Sequence, residues 1–168
     1  MKIDKNITEM NFTRGGENRA VRYIVIHYTG NDGDRAQSNT EYFKNIYRGA
    51  SAHYFADEDS IWQCVEDADI AWHCGTSGVY VHSRCRNSNS IGIELCSRKD
   101  QSGRYYFDEN TAANASRLIK SLMEKYGIPP QNLLRHYDVT GKICPEPYVR
   151  SREAWQSFKE AVESKGAD

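Results

Sequence analysis

The chain has 168 residues, 22 Lys+Arg against 23 Asp+Glu, 39% hydrophobic and 27% charged residues. That is one domain's worth of sequence, enough to bury roughly 70% of its unfolded surface. A net charge of −1 provides no basic field to attract nucleic acid or anionic lipid, and no apolar run reaches the ~20 residues that span a bilayer. The first residues, Met1-Lys2-Ile3-Asp4-Lys5-Asn6, lead into no apolar stretch of the kind a secretory signal carries.

Residues 1–20 are polar and read as an arm laid on the surface of a single domain covering 1–168. Val21 to His27 is β-branched and aromatic, the pattern of a buried central strand. Thr40 is placed to cap a short helix carrying Tyr42, Phe43, Ile46 and Tyr47. His53 to Phe55 and Ile61 to Val65 read as strands joined by the polar turn Asp57-Glu58-Asp59-Ser60. In Ser90 to Leu95 the alternation puts Ile91, Ile93 and Leu95 on one face and Ser90, Gly92 and Glu94 on the other. A helix from Glu109 to Tyr126 has Asp108 as N-cap and Ala115, Leu118, Ile119, Leu122 and Met123 as its stripe. Gly127 and Pro129-Pro130 stop it. Leu133 to His136 returns as a strand, and an amphipathic helix from Arg152 to Ser164 buries Trp155, Phe158 and Val162. Strands interleaved with helices predict an α/β fold, a mixed central sheet with helices on both faces.

His27 ends the most apolar strand, His136 ends a short one, and Cys144 follows eight positions later, before Pro145. Imidazole and thiolate are the donors zinc prefers, and three protein ligands leave a fourth position for water. The spacing is not that of a compact zinc finger, and by spacing alone a hydrogen-bonded histidine with a packed cysteine is the plainer account. Glu94 on so apolar a strand needs a partner or a wet cleft. Gly92, on the same face, removes the bulk that a groove floor would lack. Lys142 by itself reads as an exposed loop lysine.

Five segments stand in the order of a known family. They are Tyr23-Ile24-Val25-Ile26-His27-Tyr28-Thr29, Ser51-Ala52-His53-Tyr54, Ala71-Trp72-His73-Cys74-Gly75, Asn87-Ser88-Asn89-Ser90-Ile91-Gly92-Ile93-Glu94, and Arg135-His136-Tyr137-Asp138 through Lys142-Ile143-Cys144-Pro145. Over residues 20–162 the chain resembles the type 2 N-acetylmuramoyl-L-alanine amidases, which include phage endolysins and the peptidoglycan recognition proteins. The resemblance implies zinc held by His27, His136 and Cys144, with Glu94 activating water and Lys142 stabilising the oxyanion. Ala52 stands where one branch has a catalytic Tyr, which gives the proton-transfer role to Glu94. Cys144 as third ligand points away from the cytosolic muropeptide amidases. Thr140-Gly141 replaces a frequent Pro.

His53 and His73 could line a substrate groove or support a ligand, Tyr28 and Trp72 could stack on sugars, and Asn87 could touch substrate or hold its loop. Asp138 could orient a ligand or make a local turn bond. Cys64, Cys74, Cys85 and Cys96 allow up to two disulfides, with Cys74–Cys85 preferred. The reading is therefore a zinc amidase acting on peptidoglycan outside the membrane, made in the cytoplasm and released through a holin or exported otherwise, with no nucleic-acid partner. A peptidoglycan-binding module without catalysis, and a cysteine hydrolase using Cys144, are the alternatives.

Overall fold

The computed structural model describes residues 1–16, 18–75 and 78–164. Six strands form one sheet in the order β1 (Asp4–Lys5), β5 (Ile61–Gln63), β4 (Tyr54–Ala56), β7 (Ser90–Leu95), β3 (Tyr23–Tyr28), β10 (Leu133–Arg135). All neighbours run parallel except β4 and β5, whose connection is the tight turn after Ala56. Buried Asp57 builds that turn by accepting the backbone N–H groups of Asp59 and Ser60. Two short antiparallel pairs, β2 (Phe12–Thr13) with β6 (Ile70–Ala71) and β8 (Arg98–Lys99) with β9 (Tyr105–Tyr106), lie outside the sheet.

The two faces of the central strands divide the core. Ile24, Ile26, Ile91, Ile93 and Leu95 pack against Leu118, Ile119 and Leu122 of α2 (Glu109–Tyr126) and Trp155, Phe158 and Val162 of α5 (Arg152–Glu163). The α2 ends are as the sequence reads: Asp108 accepts the Asn110 N–H, and Gly127 takes a left-handed conformation (φ 62°) and donates to the Met123 carbonyl. Ser151 caps α5 by accepting the Ala154 N–H. On the opposite face Tyr23 and Val25 meet Val139 of α3 (His136–Thr140), while Phe55 meets Ala36 and Phe43 of α1 (Ala36–Lys44). The mixed sheet with helices on both faces is the fold expected.

Four local expectations are corrected. The N-terminal arm is not merely laid on the surface, because β1 extends the sheet edge and Thr8 and Asn11 are buried. Thr40 is no cap: α1 starts at Ala36, whose N–H is bonded to Asp57 Oδ2 at 2.8 Å, and Thr40 is buried in mid-helix. A carboxylate from a distant turn caps this helix, so no local signal marks its start. The helix also ends at Lys44, so Ile46 and Tyr47 lie beyond it, exposed. His136 does not end β10 but opens α3, because Asp138 accepts the Arg135 N–H and Nε–H and turns the chain there.

Candidate active site

The site lies on the α1/α3 face, toward the C-terminal ends of β3 and β7, where ligands of parallel sheets commonly bind. His27 and Glu94 are paired neighbours in the β3–β7 register, and both point away from the α2/α5 core. His136 enters from the first turn of α3, and Cys144 from the loop before α4 (Glu146–Arg150), where the Tyr137 N–H donates to the Cys144 carbonyl. One donor atom from each of His27, His136 and Cys144 lies within 4.8 Å of the others, and all three residues are buried. Cys144 Sγ is 3.7 Å from His27 Nδ1.

The proton positions follow from the hydrogen bonds. The Ser90 hydroxyl donates to the Arg86 carbonyl (2.7 Å), so its oxygen is left to accept from His73 Nε2 (3.2 Å). That fixes the His73 proton on Nε2 and makes Nδ1 an acceptor. His27 Nε2, 3.0 Å away, is then the donor. The Nδ1 lone pair of His27 is left facing the Cys144 thiol, 3.7 Å away. A second relay holds the sheet beneath: the Gly92 N–H donates to His53 Nδ1, so His53 Nε2–H donates to the Asp69 carbonyl.

Burial sets the titration of these groups. It pushes His27 well below the ordinary imidazole range, with His136 adding to the effect. It takes His136 down to about 4, helped by the positive charge of Lys142, and both rings are neutral at pH 7, as ligands must be. Among the described residues, neither nitrogen of His136 finds a hydrogen bond of ordinary geometry, although the Gly75 backbone approaches the ring. A buried imidazole with both nitrogens unpaired is costly unless something coordinates it. Burial also raises the Glu94 carboxyl to about 8, against the opposing pull of Lys142, and its Oε2 has no hydrogen-bond partner among the described residues. Glu94 and Lys142 line a cleft of about 600 Å3 together with Tyr28, Asp34, Tyr42 and Phe55.

The other sequence-derived residues are distributed as follows. His73 supports His27, and its ring occupies the space above Gly92, so that space is filled and is no open groove floor. His53 is fully enclosed with both nitrogens used, which corrects its assignment to a substrate groove. Asn87 accepts the N–H groups of His73 and Cys74, which makes it a holder of that loop. Trp72 donates to Thr13 Oγ1, and Tyr28 reaches Glu146 at 3.5 Å from the cleft wall. Asp138 is spent on Arg135. All five cysteines are free thiols, so the two disulfides are not formed, although Cys74 and Cys85 pack in one cluster. Sequence reasoning missed Asp34, which accepts from Thr29, Asn31 and Asn39 on the cleft wall. Its only sequence signal was an ordinary loop Asp.

Residues 17–147 match the family described as N-acetylmuramoyl-L-alanine amidase. The chain belongs to that family. It is 33% identical to the N-acetylmuramoyl-L-alanine amidase CwlL of Bacillus licheniformis over 98% of this chain and 47% of the relative. It is 32% identical to BlyA of Bacillus subtilis over 92% of this chain and 44% of BlyA. The chain thus spans about half the length of these curated relatives. Its fold matches the catalytic domain of XlyA with a TM-score of 0.78 and 29% identity, covering 96% of this chain and 99% of that one. A Pseudomonas aeruginosa protein solved in complex with anhydromuramic pentapeptide aligns with a TM-score of 0.62 and 26% identity, over 84% of this chain and 59% of that one.

Proposed function

We propose that this chain is a zinc-dependent catalytic domain that hydrolyses the amide between the lactyl group of N-acetylmuramic acid and L-alanine in peptidoglycan. The observation that carries the reading is the buried His136 ring, unpaired at both nitrogens among the described residues, facing His27 and Cys144 beside the cleft that holds Glu94. Two imidazoles and a thiol are the donor set of a catalytic zinc site with one open position. Bound there, zinc supplies Lewis acidity and brings the pKa of a coordinated water to near 7.

The chain's own residues do the rest. His73 and Ser90 hold His27 in the tautomer that presents Nδ1. In its ionised form, Glu94, beside His27, takes a proton from the attacking water and returns it to the leaving amine. With its carboxyl raised to about 8 only a minor fraction is ionised at pH 7, and the positive charge of Lys142, like that of a bound cation, favours that form. Lys142, exposed at the lip of the same cleft, places positive charge near the developing oxyanion. Tyr28, Asp34 and Tyr42 line the walls that orient the substrate.

Action on the wall places the work of the domain outside the membrane, as for an endolysin or autolysin. No helix among the described residues is long and apolar enough to cross a membrane. The test is mass spectrometry of digested peptidoglycan with metal analysis of the same sample. New L-alanine amino termini, no new reducing sugar ends and loss of activity with chelator are expected. Binding to walls without new amino termini would leave a recognition module instead.

A further inference from the structure

Of the ten exposed large apolar side chains among the described residues, three lie at and just beyond the end of α1: Tyr42 (51% exposed), Ile46 (54%) and Tyr47 (72%). Tyr42 lines the cleft that contains Glu94 and Lys142. Arg48 lies over the Tyr42 ring at 3.7 Å and donates from Nε to the Tyr42 carbonyl. Tyr47 meets Trp72 edge-on, with ring centroids 6.0 Å apart. Exposed Tyr42 at the cleft and exposed Tyr47 against half-buried Trp72, with Ile46 and Arg48 next to them in the chain, thus make an apolar and aromatic patch beside the cleft.

This patch is held rigid at evident cost. Asn11 is buried and adopts the left-handed backbone conformation (φ 61°) that a non-glycine residue rarely takes. Its side-chain amide donates to the carbonyls of Phe43 and Ile46 and accepts the Arg48 N–H. The Ser51 hydroxyl donates to the Asn11 carbonyl and accepts the Trp72 N–H. One buried residue and one hydroxyl thus fix both halves of the patch. Exposed apolar side chains on a preorganised backbone mark a contact surface, because rigidity lowers the entropy lost on binding.

We propose that Tyr42, Ile46, Tyr47 and Trp72 form a platform that seats the glycan strand of peptidoglycan beside the cleft, an inference that rests on the amidase reading above. The scissile amide hangs from a sugar within a long polymer, so the strand must continue past the cleft. Sugar rings present C–H faces that stack on aromatic rings, and hydroxyls that tyrosine and arginine can bond. The four platform residues carry no charge, and Arg48 lies over the Tyr42 ring. That suits an uncharged saccharide better than a stem peptide, whose carboxylates and ammonium call for opposite charges.

The probe is an uncharged β-1,4-linked N-acetylglucosamine oligomer, which shares the backbone of the glycan strand and lacks the lactyl carboxylates that peptide removal exposes, added to the full chain. Tyr47→Ala should weaken binding about tenfold, the order expected for losing one good ring contact, while Tyr47→Phe should keep it. On intact sacculi Tyr47→Ala should raise KM and leave kcat unchanged, and on a monomeric N-acetylmuramyl tripeptide it should change neither. Unchanged oligomer binding by both Tyr47→Ala and Ile46→Ser overturns the platform, as does an equal loss on sacculi and monomer. Binding to lipid vesicles in place of glycan, or a monomer–dimer shift caused by Tyr47→Ala in sedimentation, also overturns it. Failure of the wild type to cleave the monomer would strike the amidase reading, while glycan binding is measured without any cleavage.

Discussion

Glu94 stands directly beside His27 on adjacent parallel strands, both side chains on the face that the α2/α5 core does not use. The register brings a carboxylate next to a candidate metal ligand without help from any loop. Glu94→Ala should therefore lower amide hydrolysis by about 100-fold or more, the usual scale of general acid–base contributions. Zinc content measured by mass spectrometry should stay at the wild-type level. Near-normal turnover would remove Glu94 from the chemistry.

Cys144 would contribute the third donor of the proposed metal site from a loop, its Sγ 3.7 Å from His27 Nδ1. Cys144→Ser should cut metal content sharply and abolish the rise in melting temperature that zinc gives the wild type, because binding to the folded state alone stabilises it. Chelator should likewise silence the wild type, and added zinc should restore it. Metal stoichiometry unchanged in the variant would exclude Cys144 as a ligand.

Gly92 has no side chain because the His73 ring needs the space. A Cβ there would come within 2.4 Å of His73 Cγ and 2.6 Å of Nδ1. Gly92→Ala should displace the ring, break its bond to His27 and cost about 1–3 kcal/mol of stability, as overpacking does. Denaturant unfolding together with activity would check this, and a variant of native stability with full activity would contradict the packing.

Asp67 ties the end of α2 to the sheet. It accepts from Tyr54, Gln63, Lys125 and Tyr126. Burial alone would raise its pKa, but the bonds from Lys125, Tyr54 and Tyr126 outweigh that and hold it below the ordinary value. Because the folded-state pKa is depressed, the stabilisation is fully present above the unfolded value near ~3.9 and is lost as pH falls through the folded one. Asp67→Asn should cost about 1–3 kcal/mol at pH 7, and the difference from wild type should shrink on acidification below pH 4. Urea midpoints at the two pH values give the measurement, and a pH-independent difference would contradict this assignment.

The sequence by itself determined the layers and the face of the site. Alternation in Ser90–Leu95 sent Ile91, Ile93 and Leu95 into the core and left Glu94 on the opposite side, because successive strand residues must point to opposite faces. Caps and stripe marked both ends of α2, because helix termini leave backbone groups that local residues must satisfy. Only the tertiary structure decided the rest. Asp57 starts α1 from 21 residues away, the Gly92 gap is filled by His73, and His53 is enclosed while His73 reaches His27. Each of these depends on groups distant in the chain meeting across the sheet, and no local pattern of propensity or periodicity records such a meeting.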